Sequence, residues 1–590
     1  MNGYFKNVRS LFSAKTAPSI MTVFRSMKES CRQLRAEKKL GILFVLIMGT
    51  LYPFAVTSGV SAVYFIQPIG YQLRIAGALL FNIVFNLLLI CCIYSLPFAR
   101  LRSSLNMLLW TYLAIFTLFS VAHLNIYKQL FGFPSLMAVG DTNFQESYEF
   151  IISSNKATVI LSTIATIPIL CCLFISLKKR FSLSKTLRWR TVLCCWTFLF
   201  VVAWLGRGFN HQHNPFLFAG WMAREVVRTK AIQKAELQSS VAHQTNNPVF
   251  VSISRPFLKS VTHVLILGEA TTSRRMSLYG YHRRTNPLLE SIRANLLIDE
   301  NACSSRGATP PSMKEIFTFA DRDHENLIYE QPNLLQLMRA AGYRLYWLSN
   351  QQTEGPWDSQ VSFLHRAADE RVFINKRGYA DGVSLDGDLL PRLKDVLSDG
   401  VEKRFIVVHL MGTHDAYDQR FPAEFGNFKT EAGLDDRILA RRSLMDYLFR
   451  GSRIELSNAY DNAVLYNDKI VNAMLNMIHD STKDYSVIYL SDHGEALEEN
   501  GQFRGHIDGP APKQVYEIPL FFVLSDNVIH SISEPSFEKF KENLHKKFEA
   551  NGMIHTMLSL YGIGHNHWRS EKSLFSGDYK EWPRFCDGLE

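Results

Sequence analysis

Beyond residue 206 the chain holds only two cysteines, Cys303 and Cys586. One disulfide is open to them in an oxidising compartment, but nothing in their spacing requires it. The same stretch has no apolar run long enough to cross a bilayer, so it reads as a water-soluble domain. It also lacks any basic–aromatic repeat, so the net charge of +10 makes no case for nucleic acid as a partner. Internal repeats and low-complexity tracts are missing too. No small-residue cleavage site follows the first apolar segment, and a long N-terminal arm precedes it, which excludes a cleavable signal peptide.

What is present comes in two parts. Five mostly apolar stretches, at 41–60, 75–97, 105–125, 157–177 and 190–206, are each long enough to span a membrane. The other cysteines fit this part: Cys91, Cys92, Cys171, Cys172, Cys194 and Cys195 lie in spans, as small apolar residues, and Cys31 lies in the arm. Lys and Arg are unevenly distributed between the loops. The arm at 1–40 carries Lys6, Arg9, Lys15, Arg25, Lys28, Arg32, Arg35, Lys38 and Lys39. Arg100 and Arg102 mark the loop between spans two and three, and 178–190 is rich in both residues. The alternate loops are poor in them. The positive-inside rule then puts the N-terminus in the cytoplasm, and five crossings put the soluble part outside it. Between the two parts, 207–260 is a linker. Phe216 to Leu237 mixes apolar and basic residues at helical spacing, which fits an interfacial helix on the membrane surface or a connector helix.

From residue 261 strands and helices alternate. Strands are expected at Val261–Leu267, Tyr343–Leu348, Phe405–Leu410, Tyr485–Leu490 and Ile518–Val523. Helices are expected at Asn286–Asn295, Gln331–Ala341, Asp386–Ser398, Arg453–His479 and Phe537–Tyr561. Continuous apolar strands separated by helices predict an α/β domain with a mostly parallel sheet covered on both faces. Ligands of such sheets bind beyond the carboxyl ends of the strands.

The chemistry-bearing residues fall at those ends. Glu269 ends the first strand, His409 and His414 bracket the end of the third, and Asp492 and His493 end the fourth, in Ser491-Asp492-His493-Gly494-Glu495. His506 follows in a loop with Gly505, Gly509 and Pro510. Carboxylates with imidazoles suit zinc, and manganese less well. A nucleophile is available in Cys303-Ser304-Ser305-Arg306-Gly307-Ala308-Thr309-Pro310-Pro311-Ser312-Met313, ahead of an expected helix at Met313–Phe319. A metal-bound hydroxyl there ionises more readily, and a helix N-terminus favours the anion. Thr309 or Ser312 capping the helix is the competing explanation. His211 with His213, and His565 with His567, lie in polar loops and read as surface histidines. The charged run holding Asp435, Asp436, Arg437, Arg441 and Arg442 reads as a solvated face.

With these residues in view, the chain resembles the phosphoethanolamine transferases of Gram-negative envelopes, within the alkaline phosphatase/sulfatase superfamily. The resembling stretches are Gly268-Glu269, Met276–Tyr281 with Thr285-Asn286-Pro287, the loop around Thr309, and His409–His414. Tyr460-Asp461-Asn462 with Tyr466 and Asp468, Ser491–Glu495 with Asn500-Gly501, and Gly505-His506 with Ala511-Pro512-Lys513 complete the set. The resemblance implies a five-helix transmembrane domain and a periplasmic sulfatase-like domain on a bacterial inner membrane. It implies that Glu269, Thr309, Asp492 and His493 hold one Zn2+, with Thr309 as the nucleophile. His414 and His506 would bind the transferred phosphate or a second zinc, and His409 is either a participant or structural. Phosphatidylethanolamine would be the donor, an envelope glycolipid the acceptor, and a phosphothreonine the intermediate.

The sequence also departs from the family pattern. Ala270 follows Glu269 where the lipid A-modifying branch usually has Thr, and Met313 stands where a second loop cysteine is expected. Met276–Tyr281 looks more like branches acting on core sugars. A phosphoglycerol transferase on the same fold is the alternative enzyme. A sulfatase is disfavoured, because the Cys or Ser needed for formylglycine is not at the first position of Thr309-Pro310-Pro311-Ser312. A non-catalytic membrane sensor is disfavoured by the complete set of metal-type residues.

Overall fold

The computed structural model describes residues 99–127, 220–228, 249–254 and, with short gaps, 258–589, plus scattered positions at 89–98 and 166–171. It divides into two compact units, one comprising 1–122 with 160–221 and the other 123–159 with 222–590.

In the first unit helix α1 (Ala99–Tyr127) begins. Among the described residues it is the one helix long and apolar enough to cross a membrane, over Arg100–Ser120. Leu108, Ile115 and Phe119 are exposed along it, while Trp110 is buried and donates to Asn106 one turn earlier (2.9 Å). Arg100 and Arg102, expected in a loop, sit instead in its first turn, with Arg102 Nη1 on the Leu96 carbonyl (2.8 Å). The other four expected spans lie outside the described residues, apart from those scattered positions, as do His211, His213 and nearly all of the charged run at 435–442. Of the expected interfacial helix, 220–228 is described and is helical.

The second unit is built on a seven-stranded sheet. Its strands are β1 (Val261–Gly268), β2 (Leu297–Asp299), β3 (Arg344–Ser349), β4 (Glu370–Phe373), β5 (Lys403–His409), β6 (Tyr485–Ser491) and β7 (Leu520–Leu524). Their order is β2-β7-β6-β1-β5-β3-β4. The pairings among β6, β1, β5, β3 and β4 are parallel, while β7 runs antiparallel to both β6 and β2. The sheet is therefore mixed, mostly parallel with one reversed strand, and this reversal was not expected.

Because side chains alternate across a strand, each central strand feeds two cores. Leu265, Leu267, Leu345, Trp347, Phe405, Val407, Ile488 and Leu490 meet helices α2 (Thr309–Phe317), α3 (Leu334–Ala340) and the C-terminal helices on one face. Val264, Ile266, Tyr346, Leu348, Ile406, Val408, Val487 and Tyr489 meet α4 (Leu390–Leu397) and α5 (Leu444–Ser481) on the other. The sheet is covered on both sides, as its continuous apolar strands require.

Three expected helices are corrected. Phe537–Tyr561 is two helices, α6 (Glu534–Asn543) and α7 (Met553–Tyr561), divided by a strand at Phe548–Glu549 that pairs with Ala302–Cys303. Gly552 marks the break: a Cβ there would meet Phe548 at 2.9 Å. Asn286–Asn295 is a short helix, Pro287–Ser291, followed by a 3-10 turn, and Asp468 accepts from the Leu288 and Leu289 amides at its start (2.9 and 3.0 Å). The helix expected from Met313 starts at Thr309. Cys303 and Cys586 form a disulfide across a sequence separation of 283.

Candidate metal and nucleophile site

Register assembles the site. Gly268 pairs with Ser491 and Leu267 with both Leu490 and His409, so Glu269, Asp492 and the segment after His409 leave the sheet side by side. Short links lock the exit: Asp492 N donates to the Gly268 carbonyl (3.1 Å), Leu410 N to that of Leu267 (2.9 Å) and Thr413 N to that of Glu269 (3.0 Å). Gly412 lies against Glu269 with φ +54°, and a Cβ there would come within 2.7 Å of the Glu269 carbonyl oxygen. Gly494 packs as tightly, 2.2 Å from the Gln514 carbonyl oxygen by the same measure. Asp386, which no sequence signal marked, holds the 409–414 segment by accepting from the Met411 and Gly412 amides (2.8 and 2.9 Å).

Glu269, Asp492 and His493 are buried, and their ligand atoms lie within 4.8 Å of one another. His493 Nε2 is 3.3 Å from Glu269 Oε1 and 3.5 Å from Asp492 Oδ2. His493 Nδ1 lies 2.9 Å from the Gly494 carbonyl, an acceptor only, so the proton sits on Nδ1 and Nε2 turns its lone pair to the cluster when the ring is neutral. Asp492 Oδ1 accepts from the amides of Ala270 (3.2 Å) and His493 (2.7 Å), whereas Oδ2 is buried without a hydrogen-bond partner. A buried carboxylate oxygen without a hydrogen bond, an imidazole nitrogen turned toward it and a second carboxylate together fit a cation with nitrogen and oxygen ligands.

The charges agree. Burial, then the neighbouring Glu269, pushes the Asp492 carboxyl up to about 6. Burial opposes a charge on His493, but Asp492 and Glu269 outweigh it and push the ring up to about 10. Burial would raise Glu269 as well, yet the His493 contact holds it below its ordinary value. Two carboxylates packed this closely retain a positive charge between them.

Thr309 completes the cluster. Its Oγ1 lies 3.0 Å from both Glu269 oxygens and 3.2 Å from His493 Nε2. It is partly exposed, whereas Ser304, Ser305 and Ser312 are buried. Ser304 is spent on the Asp492 carbonyl (2.5 Å) and Ser312 on that of Arg306 (3.1 Å), which removes these serines as rival nucleophiles. Thr309 is the first residue of α2, and Pro310 and Pro311 bring no N–H groups to that end. The helix therefore offers an anion its dipole more than its amide donors.

His414 and His506 face the same place. With Glu269 their ligand atoms form a second group within 4.8 Å, and the His506 ring is 4.2 Å from that of His493. His506 Nδ1 is bonded to Glu495 Oε2 (2.7 Å), and Glu495 Oε1 accepts from the Tyr417 hydroxyl (2.5 Å). Glu495 thus orients His506, a role its place in the motif did not disclose. His414 keeps a buried Nδ1 without a partner, and burial, then Arg420, takes its ring down to about 4. His409 is buried edge-on to Trp347 and is in none of the three metal-type groups among the described residues, the third being His493, Glu495 and His506. His565 and His567 are partly exposed and in none of the metal-type groups among the described residues, and His565 stacks on Phe319 at 5.2 Å.

The chain is similar to several known proteins. The chain is 30% identical over 329 residues to phosphoethanolamine transferase EptC of Escherichia coli strain K12, a match covering 55% of each. The chain thus spans about half the length of that curated relative. It is 27% identical over 491 residues to phosphoethanolamine transferase EptA of Helicobacter pylori, covering 81% of this chain and 86% of that one. Among solved structures, the C-terminal periplasmic domain of EcEptC from Escherichia coli in complex with Zn superposes with a TM-score of 0.51 at 27% identity, over 57% of this chain and 92% of that one. The integral membrane protein lipooligosaccharide phosphoethanolamine transferase A (EptA) from Neisseria meningitidis, at 19% identity, shares the fold with a TM-score of 0.62 over 90% of this chain and 98% of its own. Residues 262–563 match the sulfatase family, which is just over half of the chain, and they contain the sheet, Thr309 and every acid and histidine of the cluster; the chain belongs to the sulfatase family.

Proposed function

We propose that the chain is a membrane-bound phosphoethanolamine transferase, working through a covalent phosphothreonine at Thr309. The observation that carries this reading is the partly exposed Thr309 hydroxyl, 3.0 Å from both oxygens of buried Glu269 and 3.2 Å from His493 Nε2. The names of the similar transferases and the zinc complex of the related domain support it.

Glu269, Asp492, His493 and Thr309 would hold one cation, zinc by the nitrogen and oxygen character of the donors. When bound, such an ion lowers the pKa of the hydroxyl and offsets charge on the transferred phosphate. In the first half-reaction Thr309 Oγ1 attacks the phosphorus of phosphatidylethanolamine. The new P–O bond replaces the bond to the glycerol oxygen, and diacylglycerol leaves with a proton. Glu269 is placed to accept the threonine proton, since Oγ1 already donates to it. His414 and His506 are placed to contact the phosphate, and one of the two, His506 in this reading, to supply the proton at the leaving oxygen. In the second half-reaction a hydroxyl or phosphate of an envelope glycolipid, lipid A or lipopolysaccharide core, attacks the phosphothreonine and frees Thr309.

In this reading 1–40 is a cytoplasmic arm, 41–206 the membrane domain of five helices, 207–260 the bridge along the membrane surface and 261–590 the periplasmic catalytic domain. Membrane attachment brings a lipid donor to the site by lateral diffusion.

Peptide mass spectrometry of the full chain after incubation with phosphatidylethanolamine tests the proposal. A phosphoethanolamine adduct on Thr309 is expected. Thr309→Ala should lose the adduct and lower transfer by at least about 10³-fold, as removal of a nucleophile does. A phosphoglycerol adduct from phosphatidylglycerol alone, or full transfer by Thr309→Ala, would refute it.

A further inference from the structure

Two loops carry the groups that would flank the transferred phosphate: one runs from Cys303 to Thr309, the other from Arg504 to Gly509 and carries His506. Asp508 joins them. Its Oδ1 accepts from the Gly307 amide (3.2 Å) and from Arg322 Nη2 (3.1 Å), and its Oδ2 from Arg306 Nη1 (3.4 Å). Each arginine reaches further into the Thr309 loop. Arg306 Nε donates to Glu315 on α2 (2.5 Å), the helix that Thr309 begins. Arg322 Nε donates to the Ser305 carbonyl (2.9 Å), and its guanidinium lies 3.9 Å over the ring of Phe585, beside the Cys303–Cys586 disulfide. The loops touch closely, since a Cβ on Gly307 would come within 2.3 Å of the Ile507 carbonyl oxygen.

We propose that Asp508 is a positioning residue: its carboxylate clamps the Thr309 loop to the His506 loop and fixes the separation of nucleophile and proton-transfer group. It is not a member of any of the metal-type groups. The inference rests on the function proposed above. The cluster is partly exposed and outside both sheet cores, so its ion pairs contribute little to global stability. Its effect falls on geometry, to which transfer between two positioned groups is far more sensitive.

The test compares Asp508→Ala and Asp508→Asn with the unaltered full chain. It reads kcat and KM for transfer from a fluorescent phosphatidylethanolamine, the thermal midpoint, the bound metal, and hydrogen exchange of the amides at 304–309. For Asp508→Ala a fall in kcat of about 10²-fold is expected, the scale of a misplacement near 1 Å. KM, thermal midpoint and metal content should hold, and exchange at 304–309 should rise at least about tenfold, as local opening becomes easier. Asp508→Asn keeps an acceptor for the Gly307 amide and should recover most of kcat. Unchanged kcat and exchange in Asp508→Ala would overturn the clamp. Loss of metal or of the fold in both variants would make Asp508 structural and overturn it as well, and Asp508→Asn as slow as Asp508→Ala would overturn the Gly307 contact as the operative one. If the unaltered chain transfers no phosphoethanolamine, the proposed function fails, and the exchange at 304–309 still decides whether Asp508 holds the loop.

Discussion

At the scale of single residues the site depends on atoms that have nowhere else to go. Asp492 Oδ2 is buried without a hydrogen-bond partner, and Asp492 Oδ1 is already engaged by two amides, so the carboxylate has one free direction, toward His493 and Glu269. Gly412 permits this, because its left-handed backbone and missing Cβ let the His409–His414 segment lie on the Glu269 backbone. Gly412→Ala should therefore cost more than about 1 kcal/mol of stability, since a Cβ is disfavoured at positive φ even without the clash. It should also displace Glu269. Denaturant unfolding and the metal content of the purified protein check this, and wild-type values for both would contradict it.

At the scale of elements, the segment between β1 and α2 is held to α5 by charge. Arg275 Nε and Arg283 Nη1 converge on the two oxygens of buried Asp461 (2.9 and 2.7 Å), and the Tyr281 hydroxyl adds a third donor at 3.1 Å. Asp461→Ala leaves two buried guanidiniums without their counter-ion and should destabilise the domain by about 3–5 kcal/mol. Equilibrium unfolding measures this, and a loss below about 1 kcal/mol would contradict the reading. These residues were legible in the sequence only as resemblance: Tyr281 and Asp461 stand in matching motifs, but nothing in their spacing disclosed an ion-pair network. Strands were legible directly. The buried runs from Val261, Arg344, Lys403 and Tyr485 begin within two residues of expectation because continuous apolar residues leave little else for them to form. The direction of β7 was not legible, since an apolar run reads the same way in both directions. Nor was the two-residue strand at Phe548–Glu549, whose partner Ala302–Cys303 is remote in sequence.

At the scale of the whole molecule, one arrangement carries the account. A mostly parallel sheet collects Glu269, His414, Asp492 and His493 from distant parts of the chain at one edge, and α2 brings Thr309 to them. The sequence supplied the acids, histidines and threonine and their order along the chain. Register between strands supplied their convergence, which no local pattern encodes. The serines were separated from Thr309 by burial and, for Ser304 and Ser312, by hydrogen bonds to carbonyls, and Glu495, Asp386 and Asp508 emerged only from their hydrogen bonds. The most direct test of the central claim is the anomalous scattering of zinc in crystals of the purified full chain. A peak is expected about 2.0–2.2 Å from the nearest atoms of Glu269, Thr309, Asp492 and His493, the distance for oxygen and imidazole ligands. Stoichiometric zinc bound elsewhere, or these four side chains pointing apart with no peak between them, would contradict it.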